Sequence, residues 1–272
     1  MKILSIDVGI KNLAYCLLDT TNESNESYDI CAWDVINLCG EPPICNQVLK
    51  SGGVCKRLAK YTKGTLQCCK ICAKKHTLVI PNKILENFSK KRIKLADIKE
   101  AALQHGVEIP KKSNKAETID IVNEFKAGKC FDVVETKSAS EMSLVDVGVA
   151  IREHLDKPLF LSADKVLIEN QISPIANRMK TIQGMIAQFF IMKSIEDIDF
   201  VSAGNKLKAF TNGVKTNYKE RKALGIETTF SVIAQQTQLE CWIQHFRKHG
   251  KKDDLADSFL QGLWYIKTHN PI

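Results

Sequence analysis

The 272-residue chain contains no uninterrupted apolar stretch of the length a membrane-spanning helix needs, so no membrane span is expected. It has no internal repeat and no long low-complexity tract. With 44% hydrophobic and 26% charged residues, its usage is ordinary globular, which sets aside disordered and collagenous classes. A secretory signal is not expected either: Met1-Lys2 leads straight into Ile-Leu-Ser-Ile, too short for an apolar targeting core, and no arginine-rich, acid-poor leader appears. Acid is scarce in one region above all. From Lys50 to Lys94 there are thirteen Lys/Arg and a single acid, Glu86. Over the whole chain 39 basic residues face 31 acidic ones, a formal charge of +8. That excess suits a polyanionic partner, with a solvated face as the plainer alternative.

What the chain does have is cysteine: ten residues, six of them between Cys39 and Cys72. In the reducing setting expected here, such a cluster reads as metal ligands before disulfides. Cys45, Cys55, Cys69 and Cys72 offer four thiolates in two pairs, the second with Cys-x-x-Cys knuckle spacing. Zinc bound there would be structural, tying together a segment with little apolar content of its own. Cys68 and His76 are rival ligands, and Cys39 is an outside candidate.

The length predicts one large domain or two small ones. Lys2 to Val8, Leu13 to Asp19 and Asp29 to Leu38 are short apolar runs separated by turn chemistry, which predicts an antiparallel meander. The pattern stops at Cys39. Lys83 to Phe125 reads as two helical stretches around a polar stop at Ile109–Ser113. Helical periodicity returns over Ser140–Leu155, Asn177–Ile195, Glu227–His249 and Asp253–Lys267, with strands at Asp164–Ile168 and Phe200–Ala203. The expectation is an α/β domain from 1–38 and 137–272, interrupted by a zinc-binding insertion at 39–82 and a helical one at 83–136.

Three separated elements carry acids. Asp7 ends the first strand, before Gly9, and Glu169 ends another. Either alone could be a solvated strand end. The last helix opens Lys251-Lys252-Asp253-Asp254-Leu255-Ala256-Asp257, and residues spaced i and i+3 share a face, so Asp254 and Asp257 lie together at the edge of the apolar stripe of Leu255, Phe259 and Leu263. Acids in a first helical turn also complement the helix dipole, and Asp253 or Asp254 could be a cap. Three such elements in a basic protein point to a hard-cation site: Mg²⁺ takes a few carboxylates with water and phosphate oxygens, and two ions roughly 4 Å apart suit phosphodiester cleavage.

These segments, SIDVGIKNLAYCLLD, VLIENQ and KKDDLADSFLQ, resemble the motifs of the RuvC-like Holliday junction resolvases, most nearly the fungal mitochondrial and large-DNA-virus branch. The resemblance covers about residues 1–38 and 140–267. It implies an RNase H-like fold, a mixed five-stranded sheet flanked by helices, a homodimer, and cutting of four-way DNA junctions with two Mg²⁺ (or Mn²⁺) ions. On that reading Asp7 bridges the metals, Glu169 holds the one on the attacking-water side, and Asp254 and Asp257 complete the set, with Asp253 the alternative to Asp254. Lys251 and Lys252 would meet the phosphates of the scissile strand. A viral replication site or a mitochondrial matrix would house such an enzyme.

Residues Leu95 to Val122 resemble a SAP motif, a DNA-binding helix–loop–helix, with Lys115 at a matching position and Ser113-Asn114 where a glycine is usual. Arg178, Lys180, Lys206 and Lys208 are further candidates for junction-arm phosphates, and each could equally be solvated. Asn12 and Gln171 could orient water or substrate, or serve as ordinary turn and strand-end hydrogen bonders. Two rival functions stay open on the residues alone. One is a non-catalytic DNA-binding or scaffold protein using the zinc and SAP-like units. The other is an actin-like ATPase or sugar kinase, since Asp-x-Gly on a first strand also opens that fold, although no second phosphate loop is visible.

Overall fold

The protein was analysed as a computed structural model, which describes residues 1–21, 28–135, 138–171, 177–206 and 217–269. In chain order its elements begin with β1 (Lys2–Asp7), β2 (Leu13–Asp19) and β3 (Asp29–Ile36). Next come β4 (Tyr61–Lys63), β5 (Leu66–Cys68), α1 (Lys70–Ala73), α2 (Lys83–Asn87), α3 (Leu95–Leu103), α4 (Lys115–Lys129) and β6 (Asp132–Val133). The remainder is α5 (Leu144–Leu155), α6 (Pro158–Leu161), β7 (Lys165–Asn170), α7 (Asn177–Met192), β8 (Ile198–Ser202), α8 (Tyr218–Gln235), α9 (Glu240–Lys248) and α10 (Lys252–His269). The chain divides into two compact units, Met1–Gly40 with Lys137–Ile272, and Glu41–Thr136.

The first unit is built on a sheet of order β3-β2-β1-β7-β8. β1 runs antiparallel to β2 and parallel to β7, and β7 runs parallel to β8. β1 and β7 read as nearly unbroken apolar runs because both of their faces are covered. Side chains alternate across a strand, so Leu4, Ile6, Val166 and Ile168 enter the core shared with α5 and α7. Ile3 and Leu167 enter the opposite core, with α9 and α10. Asp7 has the parity of Ile3, and Glu169 that of Leu167. The parallel register Ile6↔Ile168 therefore sets Asp7 beside Glu169 on the face that α10 covers.

α10 lies flat on that face. The buried Gln261 donates from Nε2 to Ser5 Oγ at 3.1 Å and to the carbonyls of Ile6 and Leu167, so one amide ties the helix to both acid-bearing strands. Trp33 of β3 donates to the Leu255 carbonyl at 3.0 Å and stacks on Phe246. Gly262 makes the close approach possible: a Cβ there would sit 2.5 Å from Leu18 Cδ1 and 3.2 Å from Ser5 Cβ.

The second unit has two small cores. One gathers Cys45, Cys55, Cys68, Cys69 and Cys72 around Phe131, beside the sheet β5-β4-β6. The other packs Leu85 and Phe88 against Ile98, Ala102 and Val122 of α3 and α4. Asn114 caps α4 in a reciprocal box with Glu117, which starts the helix where a turn glycine was expected.

The sequence reading departs from this fold in three places. The segment after Cys39, which lacked any period, holds short strands whose residues are too few to show one. The expected single helix over Glu227–His249 is two helices, α8 and α9, because Gln236 is extended. The two helical stretches of Lys83–Phe125 are three.

Gly262→Ala is expected to lower stability by about 1–3 kcal/mol, the usual penalty of overpacking a filled interface. A urea titration followed by circular dichroism measures it, and Gly128→Ala, helical but with nothing within 4 Å, is the unclashed control and should show only the helix-propensity gain of up to about 1 kcal/mol.

Candidate metal and nucleic-acid site

Asp7, Glu169, Asp254 and Asp257 line one cavity of about 360 Å³, together with Lys206, Tyr218, Arg221 and Lys222. The two strand acids are brought together by the register of β1 and β7, and the helix acids by the first turn of α10. Lys206 stands in their midst. Its ammonium lies 2.7 Å from Asp7 Oδ1, 3.0 Å from Glu169 Oε1 and 3.4 Å from Asp257 Oδ2, and the residue is only 4% exposed.

The arrangement corrects one expectation. Lys206 is not a surface phosphate contact; crowded carboxylates in a buried place need a cation, and among the described residues its ammonium is the one that pairs with Asp7, Glu169 and Asp257 together. Burial alone would lower the lysine's pKa, but the charges of Asp7, Asp257 and Glu169 carry it well above the usual value. The acids respond in turn. Burial and then the Asp7 charge push Glu169 up to about 7. Burial, Asp253 and Asp7 push Asp254 up to about 6. Burial also raises Asp257, with Lys206 opposing.

Asp253 faces elsewhere. Its carboxylate pairs with Lys222, which holds it below the ordinary range against the opposing effect of burial. Gln171 donates to Glu169 Oε2 at 2.8 Å, and its own backbone amide donates to the Gln183 side chain, while Lys206 engages the other carboxylate oxygen, so Glu169 is held from both sides. Gly9 sits where the chain turns back after β1; a Cβ there would lie 2.2 Å from the Asn12 carbonyl oxygen.

The other basic residues divide. Arg178 spends its guanidinium on the carbonyls of Ser140 and Met142, and Lys115 its ammonium on those of Lys91 and Ile93, so both brace neighbouring chain rather than face solvent. Lys180 and Lys251 are exposed and Lys252 is half-buried. Lys208 lies outside the described residues. Tyr218, Arg221 and Lys222 join the cavity because α8 begins at Tyr218, nine residues ahead of the helical periodicity that starts at Glu227. The signal was present: Asn217 and Glu220 form a capping box, which marks a helix start at Tyr218.

Among the described residues, the four thiol sulfurs of Cys45, Cys55, Cys69 and Cys72 lie within 4.8 Å of one another, all buried. Burial opposes thiolate formation at Cys69, but the amides of Cys72 and Ile71 carry it down to about 6, while burial and the neighbouring sulfurs push Cys72 up to about 12. Cys68 is buried beside this set without joining it. His76 accepts from the Leu78 amide and packs on Phe131, and Cys39 packs against the α5–α7 core of the first unit.

The strand order, an antiparallel meander running into parallel crossovers, sets the strand acids at the centre of the sheet. The family described as mitochondrial resolvase Ydc2 / RNA splicing MRS1 matches over residues 3–186, and the chain belongs to it. That span holds Asp7 and Glu169; Asp254 and Asp257 lie beyond it. An uncharacterized protein of Acanthamoeba polyphaga mimivirus is 24% identical over 98% of this chain and 75% of its own length. Among solved structures, the fowlpox virus Holliday junction resolvase aligns with a TM-score of 0.43 at 14% identity, covering 99% of each chain. The yeast mitochondrial resolvase Ydc2 aligns with a TM-score of 0.41 at 13% identity, over 97% of this chain and 78% of that one.

The acids make a pH test of this geometry. A carboxyl whose pKa is raised by folding binds its proton in the folded chain at a pH where the unfolded chain has released it. The resulting stabilisation is complete below the ordinary values of 3.8 and 4.5 and is lost as pH rises through about 6 for Asp254 and about 7 for Glu169. Without added divalent metal, the melting temperature is expected to fall between pH 5 and pH 7.5. Asp254→Asn should flatten that slope and raise the melting temperature at the upper end; a slope unchanged in the variant refutes the assignment.

Proposed function

We propose that this chain is a structure-specific endonuclease that resolves four-way DNA junctions, acting as a homodimer. The observation that carries the reading is the convergence of three carboxylates from β1, β7 and α10 on one buried cation position. The donor set suits a hard divalent ion, since it is all oxygen and already organised around positive charge. Asp7, Glu169, Asp254 and Asp257 would hold Mg²⁺ or Mn²⁺, which when bound supplies the Lewis acidity that activates water and stabilises the leaving oxygen.

The chain's own groups do the rest. Gln171 fixes the rotamer of Glu169. Gln261, one helical turn beyond Asp257, fixes the helix against both strands. Lys206 neutralises the acids, keeping them together where their mutual repulsion would spread them. Arg221 lines the same cavity beside Lys222 and offers positive charge to a phosphodiester. Lys251, exposed beside the acids of α10, would meet phosphates of the scissile strand, and the exposed Lys180 those of a DNA arm. Dimerisation has a natural surface on the first unit, where Val145 and Met192 are each 75% exposed beside an apolar groove between α5 and α7.

Structural zinc in the second unit belongs to the same reading. Four buried thiols leave no open coordination position, so the ion would stabilise and not catalyse. Ten unpaired cysteines accord with a reducing compartment. No helix among the described residues is long and apolar enough to cross a membrane.

A labelled four-way junction with Mg²⁺ tests the activity. Asp7→Asn is expected to cut at least about a hundredfold more slowly, the loss typical of removing one electrostatic stabiliser of a transition state. Mixed with wild type, it should yield junctions nicked in one strand, the mark of one live site per dimer. Wild type cutting no better than Asp7→Asn removes the nuclease reading and leaves a DNA-binding protein.

Zinc is tested separately. Elemental analysis of the purified chain should return about one zinc, and Cys69→Ser should lose it and destabilise the second unit, because binding free energy at such a site is folding free energy. A metal-free preparation that melts like the zinc-loaded one overturns the assignment.

A further inference from the structure

The thiol cluster has a reverse side that the proposed function leaves unused. Pro43 to Ala59 forms a hairpin, held by Ala59 N–H to Pro43 O at 2.8 Å, Cys45 N–H to Arg57 O at 2.7 Å, Cys55 N–H to Gln47 O at 2.7 Å and Leu49 N–H to Gly53 O at 2.7 Å. Gly52, at φ +84°, turns the tip. The pairings Ile44↔Leu58 and Val48↔Val54 set the register. Side chains alternate along each strand, so Cys45 and Cys55 point to one face, inward with the other sulfurs. Ile44, Val48, Val54 and Leu58 point to the opposite face as two cross-strand pairs, with Lys56 and Asn46 between them, Asn46 turning its amide aside to the Thr65 carbonyl and the Gln67 backbone amide. These four aliphatic residues are 53%, 73%, 54% and 55% exposed. Among the described residues of the second unit, nothing covers them.

Their surroundings indicate what could. The hairpin contains no acid and no aromatic residue. Lys50 at its tip, Lys56 on the apolar face and Lys60 at its base are exposed and have no side-chain partner among the described residues. The charge of the whole chain is segregated in the same sense. Glu41–Thr136 carries nineteen Lys/Arg against ten Asp/Glu, whereas the residues of the other unit carry twenty against twenty-one. A protein surface would meet this cationic rim with carboxylates, but bases in a stack present apolar faces directly flanked by phosphates. A two-stranded ribbon has the width of a DNA groove, and aliphatic side chains inserted between base steps are a recurrent means of kinking duplexes.

We infer that the metal-distal face of this hairpin is a wedge that enters DNA between base pairs. Val48 and Val54 lead, Ile44 and Leu58 follow, and Lys50, Lys56 and Lys60 hold the flanking phosphates. The inference rests on the proposed junction substrate and names the element that opens it. A branch point, where stacking is already interrupted, is the site at which insertion costs least. Metal bound by the sulfurs would fix the inward face of the ribbon, so that the outward face stays straight and presented.

The test uses the full zinc-loaded chain in the Asp7→Asn background, expected to bind while cutting at least about a hundredfold more slowly, and a junction carrying a fluorescent purine analogue beside the branch point. Binding should raise the fluorescence severalfold as the analogue unstacks. Val48→Thr/Val54→Thr keeps β-branched shape at exposed positions, so zinc content and circular dichroism should match the parent. This variant should lose most of the fluorescence rise while its low-salt affinity stays within about threefold of the parent, because phosphate contacts dominate affinity. Lys50→Gln/Lys56→Gln should do the reverse: it keeps the fluorescence rise at saturation and reduces the slope of log affinity against log salt by about two.

An unchanged fluorescence rise in the valine variant overturns the wedge. So does an effect of that variant confined to dimer sedimentation, which would make the face a self-association surface, or one confined to binding of phosphatidylserine vesicles, which would make it a membrane contact. Failure of this inference alone leaves wild-type cleavage of the junction intact, whereas failure of the proposed function abolishes cleavage in the unmodified chain.

Discussion

Everything in the first unit is arranged around one electrostatic problem: three carboxylates, from β1, β7 and α10, are held close enough to share a single ammonium group. Like charges in a partly buried place repel strongly, and the upward shift of Glu169 to about 7 registers that repulsion after burial has taken its larger share. Lys206 relieves it, and in doing so keeps the acids convergent in the absence of metal. The strand acids cannot back away, because β1 and β7 are locked in parallel register. The helix acids cannot either, because Gln261 and Gly262 hold α10 flat on the sheet through hydrogen bonds and close contact. A rigid scaffold thus keeps groups together that would separate in solution, which is the condition for binding a hard cation with few ligands.

The second unit solves a different problem by different means. Its strands are two or three residues long and could not support a core alone. Its centre is instead a set of converging sulfurs backed by Phe131, with a separate small helical core around Ile98 and Val122. That economy leaves aliphatic side chains on the outside of the hairpin and concentrates the positive charge of the protein in this unit, while the first unit is close to neutral overall. The crowded acids and the excess of positive charge thereby fall in separate units.

Much of this was legible in the residues themselves. The meander, the two later strands and the final amphipathic helix follow from hydrophobic periodicity, and Asp7, Glu169, Asp254 and Asp257 stand out because acids at strand mouths and at i, i+3 in a helix are costly unless used. The cysteine spacing announced a thiol cluster. What was not legible has specific causes. Strands of two or three residues, as in β4 to β6, are too short to display a period. The role of Lys206 was invisible because a lysine in a basic stretch looks like any other until the fold buries it. Which of Asp253 and Asp254 lines the cavity is set by Lys222, thirty-one residues before Asp253, which engages the first and leaves the second facing the cavity.

The sequence by itself therefore determined which elements form and which residue types could bind metal or phosphate, because periodicity, capping and ligand chemistry act over a few neighbouring positions. Only the tertiary structure decided which of those residues meet. Strand register placed Asp7 beside Glu169, the docking of α10 added Asp257, and the burial of Lys206 turned an apparent surface cation into the counter-charge of the whole cluster. Each of these is set by packing between segments far apart in the chain, and no local rule carries that information.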